Sequence, residues 1–406
     1  MAKKLEKKAS SKTEQMKSEA KTKDAIKGRT KSKTTSNIDF ERLPYPDLVN
    51  TRLNQIRFRM EEEKIHALAV NYLPNIRYLT NFSGSAATLF ITFDEIHFVS
   101  DDRYEEQIKT ELYDLPNLYT HITRDVWEYL SEKNFLKGVV NLGFEADRMP
   151  YADAVNIRNL IRPMKFKPTP NIVEPFTMPK SPEELDSIKK SAEIAVKVYE
   201  KILKMIKPGV TELDIAIEIA YQTRKLGSEG DAFPIIVVAG ERGALIHGKP
   251  SKREIKNGDI VLMDFGCKVN GFSSDITRTV AVGKASREQK KLYKLLYEAK
   301  EEAIKNVRPG MNGKNLDAFA RKMIAKAGYG DNFQHSLGHG IGLETHESPI
   351  ITFRKSDQVI PDGCVLAIEP GVYFSGKYGM RIEDNILVTI NGGEHITKAP
   401  EELIIL

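Results

Sequence analysis

At 406 residues, 41% hydrophobic and 29% charged, the chain has the make-up of an ordinary folded protein with length enough for two cores. It holds no run of eighteen apolar residues and no apolar stretch at its start, so neither a membrane span nor a secretory signal is expected. The net charge of +5 hides an asymmetry: residues 1–36 carry twelve Lys/Arg against four acids, which leaves −3 on the remaining 370 residues.

Residues 1–38 are basic, rich in Ser/Thr and free of aromatics, a composition that predicts a disordered tail. Such a tail either makes weak contact with nucleic acid or anionic lipid through charge alone or is a solvated extension with no partner. Order is expected to begin between Ile38 and Pro46. Leu48–Glu63 reads as a helix with Leu53, Ile56 and Met60 on one stripe. A short apolar run, Ala67–Val70, precedes a helical stretch at Asn75–Leu79. Two strands, Ala87–Thr92 and Glu95–Val99, flank a tight turn at Phe93-Asp94. Then come Tyr104–Leu112 as helix, Leu118–Ile122 as strand, Val126–Glu132 as helix, Val139–Phe144 as strand, Tyr151–Ile161 as helix and Phe166–Pro168 as strand. This alternation predicts a small α/β domain on a mixed sheet over residues 45–170. It has no cluster of His, Cys or acids, so it reads as a scaffold, oligomerisation or specificity domain. Pro168–Pro175 reads as the linker to a second domain over residues 172–406.

In that second part Leu185, Ile188, Ala192, Ala195, Val198, Tyr199, Ile202 and Ile206 form one helical stripe, stopped by Pro208-Gly209. Thr211 opens the next helix, with Asp214 three residues on in the pattern of a capping box. About a hundred residues later Pro309-Gly310 follows the helix Glu288–Asn306 in the same way. Each copy precedes apolar strands that bear acids. The echo points to two similar halves whose acids meet in the middle, although Pro-Gly after a helix is common.

Val261–Thr279 holds Asn270-Gly271 between two β-rich arms, the signal of a type I′ hairpin turn. With those two residues as the loop, Val269 faces Phe272, Cys267 faces Ser274 and Gly266 faces Asp275. Asp264 then shares a face with Asp275 as its diagonal neighbour, about 7–8 Å away at the backbone. Alone, the pair is either an incidental feature of a turn or two walls of a cation site. Downstream residues favour the cation site. His335, His339 and His346 lie among glycines 338, 340 and 342, which argue against a continuous helix and let backbone approach a ligand. Glu369 follows four apolar residues, where an unpaired carboxylate is costly and a metal or other cation must compensate it. Glu383 lies two residues from Arg381, on one strand face, as a salt-bridged edge or a further member of the site. Asp264, Asp275, His339, Glu369 and Glu383 together bring four negative charges and one imidazole, enough to balance two divalent cations. Hard oxygen donors with one imidazole suit Mn²⁺ best, with Co²⁺, Fe²⁺ or Zn²⁺ as alternatives. Two ions about 3.5–4 Å apart generate a bridging hydroxide and hold a reacting oxygen. Cys267 and Cys364 read as buried small hydrophobes outside any disulfide framework, and the cytoplasm is the expected location.

From about residue 172 to the C-terminus these segments resemble metallopeptidase family M24, the pita-bread proteins that include methionine aminopeptidase, Xaa-Pro aminopeptidase, prolidase and the metal-free creatinase. The resemblance implies that Asp264, Asp275, His339, Glu369 and Glu383 are the metal ligands, and its pseudo-symmetric halves account for the Pro-Gly echo. Residues 45–170 resemble the creatinase/prolidase-type N-terminal domain, so the implied class is α/β (α+β) with a pita-bread catalytic domain second. Arg381 matches the proline-specific members. Leu245-Ile-His247 resembles their substrate-side motif, commonly Leu-Pro-His, with Ile246 a departure that keeps the histidine. Within the family the likeness is greatest to short bacterial Xaa-Pro aminopeptidases, including the ending Glu402–Leu406, and the basic tail is an addition to that pattern. The implied activity is metal-dependent hydrolysis of the bond between an N-terminal residue and a following proline. Prolidase action on Xaa-Pro dipeptides is the alternative, and a non-catalytic binding protein is the third reading. In the implied mechanism Glu369 both ligates metal and shuttles a proton, and His247 and His346 hydrogen-bond the tetrahedral centre. His335 orients substrate on the leaving-group side, and Arg381 orients Glu383 or a substrate carboxylate. The expected partner is a peptide with proline at position 2, and the resemblance implies a homodimer.

Overall fold

The computed structural model describes residues 47–354 and 358–406, so the expected basic tail and the expected start of order near Ile38 to Pro46 lie outside the described residues. The first domain runs α1 (Asp47–Glu62), β1 (Ala67–Val70), α2 (Leu73–Thr80), β2 (Ala87–Thr92), β3 (Ile96–Ser100), α3 (Glu105–Glu111), β4 (Leu118–Ile122), α4 (Val126–Lys133), β5 (Asn141–Phe144), α5 (Tyr151–Leu160) and β6 (Lys165–Pro168). Its six strands form one sheet in the order β4-β3-β2-β1-β5-β6. The short turn between β2 and β3 forces an antiparallel pair, and the helical crossovers return β4, β5 and β6 parallel to their neighbours. The expected mixed sheet is therefore present. Along β1, Leu68 and Val70 join one core with Leu53, Ile56 and Met60 of α1, while Ala67 and Ala69 join a second core with Phe90 and Leu142 on the opposite face. Burial on both faces is why β1 reads as a continuous apolar run.

After a short helix α6 (Glu174–Thr177), the second domain begins with α7 (Pro182–Ile202), α8 (Glu212–Lys225), β7 (Ile236–Ala239), β8 (Ile260–Phe265), β9 (Lys268–Val269), β10 (Phe272–Ser273) and β11 (Ile276–Ala281). It continues with α9 (Arg287–Asn306), α10 (Gly313–Lys326), β12 (Gly338–Gly340), β13 (Glu347–Ile351), β14 (Val365–Ile368), β15 (Gly371–Phe374), β16 (Tyr378–Arg381), β17 (Asp384–Thr389) and β18 (Gly392–His395). The Pro-Gly echo marks a true repeat. Gly209 (φ 91°) and Gly310 (φ 84°) occupy equivalent left-handed positions after α7 and α9. Their N–H groups donate at 2.9 Å to Ile255 O and Ile360 O respectively. Thr211 caps α8 with Asp214 in a full capping box, and the Asn312 side chain caps α10.

Each helix pair packs on its own antiparallel sheet. Val198 and Ile202 meet Val261 and Met263 over the sheet β11-β8-β7. Leu296 and Ala299 meet Leu366 and Ile368 over the sheet β13-β12-β14-β17-β18. The hairpin keeps the expected register: Val269 pairs Phe272, Phe265 pairs Ile276, and Asp264 pairs Thr277. Asn270 (φ 50°) and Gly271 (φ 80°) both take positive φ, as a type I′ turn requires. Gly266 sits opposite Asp275, and a Cβ there would lie 1.9 Å from Ser274 O.

Candidate metal centre

The two halves bring their acids together. Asp264 lies on β8 and Asp275 just before β11, while Glu369 directly follows β14 and Glu383 lies just before β17. His339 comes from the centre of β12. Ligand-capable atoms of Asp275, His339 and Glu383 fall within 4.8 Å of one another. His339 Nε2 is 3.7 Å from Asp275 Oδ2 and 3.9 Å from Glu369 Oε1. His339 Nδ1–H donates to Gly340 O at 3.0 Å, which fixes the tautomer and turns the Nε2 lone pair toward the acids. Asp275, His339, Glu369 and Glu383 therefore converge, and Asp264 acts electrostatically on Asp275 and Glu383 beside them. Asp264, Asp275, His339 and Glu383 are buried, and Glu369 keeps 19% side-chain exposure.

The cluster is short of positive charge. Asp264 Oδ1, Asp275 Oδ1 and Glu383 Oε1 are buried with no hydrogen-bond partner. Burial, then the surrounding carboxylates, push Asp275 well above the ordinary carboxylate range. Burial and Glu383 do the same to Glu369, against Arg381. Glu383 is pushed up to about 8 by burial and Asp264. Burial and the neighbouring His346 push His339 down to about 3, so its ring is neutral and able to ligate. Carboxylate oxygens that are buried, unpartnered and mutually repelling, beside an imidazole lone pair, fit divalent cations of the hard-to-borderline class.

Arg381 is the one guanidinium of the cluster, and its role differs from the expectation. It does not hold Glu383. Its Nη2 donates to Asp264 Oδ2 at 2.5 Å, its Nη1 to Tyr373 Oη at 2.6 Å and its Nε to Thr277 Oγ1 at 3.0 Å. Thr277 Oγ1 donates onward to Glu383 Oε2 at 2.6 Å. Three of its five N–H groups are engaged in this way, and its Nε also lies 3.8 Å from Glu369 Oε2. The same-face argument fails because β16 ends at Arg381 and β17 begins at Asp384, leaving Glu383 between strands where the alternation rule does not hold. Thr277 and Tyr373 escaped the sequence reading. Thr277 carried a usable signal, since the hairpin register sets it directly opposite Asp264.

The other histidines lie beside the cluster. His346 is exposed, its ring centroid 4.2 Å from that of His339. His247, also exposed, acts electrostatically on both His335 and His346 and so lies near both. The His335 ring is engaged at both nitrogens: Nδ1–H donates to Ser336 O at 2.8 Å and Nε2 accepts from Tyr373 O–H at 3.0 Å. Burial and Arg381 push it down to about 3, which matches a neutral acceptor.

A second group, Glu301, Asp384 and His395, also brings ligand atoms within 4.8 Å. Its cation positions are already filled. Asp384 accepts from Arg278 Nη2 at 2.7 Å and pairs with Lys300, and Glu301 lies 3.2 Å from Lys300 and 3.1 Å from His395. Burial works against the charge of Asp384, but Arg278 and Lys300 outweigh it and hold the carboxyl below its ordinary value. This group is an internal salt-bridge network. It also anchors the site, because Arg278 Nη1 donates to Glu383 O at 2.6 Å.

An α/β first domain followed by two matched halves, each a helix pair on an antiparallel sheet, around an acid-and-imidazole cluster defines a two-domain pita-bread protein whose residues fit metal. Residues 186–390 match metallopeptidase family M24, and residues 52–176 match the creatinase/prolidase N-terminal domain. The chain belongs to metallopeptidase family M24 and is closely related to the bacterial and archaeal Xaa-Pro dipeptidase and aminopeptidase group. It is 33% identical over 359 residues to the Xaa-Pro dipeptidase of Pyrococcus horikoshii, covering 88% of this chain and 100% of that protein. Among solved structures it is similar to the Xaa-Pro dipeptidase from Bacillus anthracis, with a TM-score of 0.83, 37% identity and coverage of 88% of this chain and 100% of that one. The X-Pro aminopeptidase from Thermotoga maritima MSB8 gives a TM-score of 0.80, 33% identity and coverage of 87% and 99%. Among the described residues no helix is long and apolar enough to cross a membrane.

Proposed function

We propose that the protein is a metal-dependent exopeptidase that splits Xaa-Pro dipeptides at the bond to proline. The observation that carries this is the convergence of four acids and one imidazole with three buried carboxylate oxygens left unpartnered. The motifs alone favoured an Xaa-Pro aminopeptidase. The dipeptidases of B. anthracis and P. horikoshii, each matched over its whole length, support the dipeptide reading more strongly. The aminopeptidase reading keeps one specific support, the likeness to the T. maritima enzyme.

Asp264, Asp275, His339, Glu369 and Glu383 would hold two divalent cations, assigned as Mn²⁺ from the hardness of the donors. Such cations, when bound, supply Lewis acidity and a nucleophile at neutral pH. Glu369 is the proton carrier. It lies at the exposed edge of the cluster, where it would take the proton of the attacking water and deliver it to the departing proline nitrogen. His346 and His247, beside the cluster, donate hydrogen bonds to the carbonyl oxygen as it gains charge. Tyr373 and His335 hold Arg381, and Arg381 holds Asp264, so these three fix the frame. Proline suits a dedicated enzyme because its nitrogen offers no N–H in the bond to be cut.

The deciding experiment is hydrolysis of Ala-Pro and Ala-Pro-Ala by metal-stripped protein with and without added Mn²⁺. Metal-dependent cleavage of Ala-Pro alone is the expected result. Cleavage of the tripeptide would move the assignment to an aminopeptidase. No cleavage of either with Mn²⁺ or Co²⁺ would remove the peptidase reading.

A further inference from the structure

The segment that carries His346 is held from outside its own domain. Between β12 and β13 the chain turns at Gly342, whose N–H donates to Glu344 O at 2.9 Å. The Glu344 carboxylate, two residues before His346, is gripped by two residues of the first domain. Tyr72 O–H donates to Oε1, and Arg148 Nη2 donates to Oε2 at 3.3 Å. The Arg148 guanidinium lies over the Tyr72 ring, 4.0 Å from its centroid, and also reaches Glu174 at 3.4 Å.

The grip is itself fixed. Buried Glu145 accepts from the N–H groups of Asn71 and Tyr72 at 2.6 and 2.8 Å and from Asn75 Nδ2 at 2.7 Å. On the other flank Glu347 pairs with buried Lys180, whose Nζ also donates to Thr177 O at 2.6 Å and Met178 O at 3.0 Å. His346 stands exposed between these two anchors, against the His339 ring.

We propose that Tyr72, Arg148 and Glu344 are positioning residues for His346, so that the first domain sets the geometry of a step performed in the second. The inference rests on the metallopeptidase reading of the site. A hydrogen-bond donor to a developing oxyanion works only within a narrow range of positions, and a shift of about 1 Å is costly in rate. The Arg148 and Glu344 side chains keep 28% and 25% exposure, so solvent screens part of their pairing.

The test measures Tyr72→Phe and Glu344→Gln, each in the wild-type and His346→Ala backgrounds, on Mn²⁺-loaded protein with Ala-Pro and Ala-Pro-Ala as substrates. In the wild-type background each lowers kcat about tenfold while KM, Mn²⁺ stoichiometry and the thermal midpoint hold. In the His346→Ala background neither has a further effect, because both act through that side chain. Wild-type kcat in both variants, or equal losses in the two backgrounds, would overturn the proposal and leave the peptidase reading intact. A wild-type protein inactive on both peptides would overturn the two together.

Discussion

Glu383 shows what the cluster lacks. Its Oε2 is satisfied by Thr277, its Oε1 by nothing, and it lies among three other acids with a single guanidinium to offset them. In the cation-free protein its carboxyl, pushed up to about 8, keeps a proton at neutral pH, and the raised values of Asp275 and Glu369 act in the same direction. Adding Mn²⁺ at pH 7 is therefore expected to release protons, measured with an indicator dye, and the Glu383 share fades above about pH 8. The same shift sets a pH dependence of folding. Between the ordinary carboxyl value of 4.5 and about 8 the folded cation-free protein binds a proton that the unfolded chain has released. Its stability falls as pH rises through that window, and thermal scans of the Mn²⁺-loaded protein should lack that fall. Glu369→Gln keeps an oxygen donor and removes the proposed proton carrier. At saturating Mn²⁺ its kcat is expected to drop about a hundredfold or more, with cation stoichiometry unchanged by elemental analysis. Asp264 and Glu369 were legible in the sequence because each follows an apolar run, whereas Asp275 came from the hairpin register and Glu383 from the family resemblance. Tyr373 was not, because a phenol after a Gly-Val pair is an ordinary strand residue until its partners are seen.

The hairpin β8–β11 is the element on which the first two acids depend. Its register carries through the interruption at residues 266–267 because Gly266 lets Ser274 O approach. Gly266→Ala places a methyl where no atom fits, so the arms must part and Asp275 must move relative to Asp264. The expected cost is about 1–3 kcal/mol in chemical denaturation, with Mn²⁺ affinity weakened as well. Elements with a strong local signal were readable: the α7 stripe, the Thr211 capping box, the Asn270-Gly271 turn. The place of Glu383 was not, because the sequence around it reads as one continuous strand. The break between β16 and β17 comes from their joining different sheets, a tertiary fact.

The two domains are tied by buried as well as exposed contacts. Arg52 of α1 donates to Glu184 of α7 at 2.6 Å and to Tyr78 O at 3.1 Å. Neither this pair nor the grip of Tyr72 and Arg148 on Glu344 leaves a trace in the sequence, since partners separated by 132, 272 and 196 positions have no local pattern in common. The internal repeat was visible because its punctuation, Pro-Gly then a capping residue, is local and occurs twice. That repeat pairs Asp264 with Glu369, and strand pairing sets Val238 where the other half has His339.

Each half thus supplies two acids, and neither half alone is a site. The chain crosses between them at residues 282–286, a tether outside the cluster. In effect the second domain is a dimer whose partners have been sewn end to end, and the stitch can be cut. Fragments 1–284 and 285–406 produced together are expected to reassemble and bind Mn²⁺, while each produced alone binds none by equilibrium dialysis. Ile404 and Leu406, which hydrogen-bond back to Ala281 and Gly283, would help the pieces find each other. For this molecule, joining the halves and assembling the candidate metal centre are a single event.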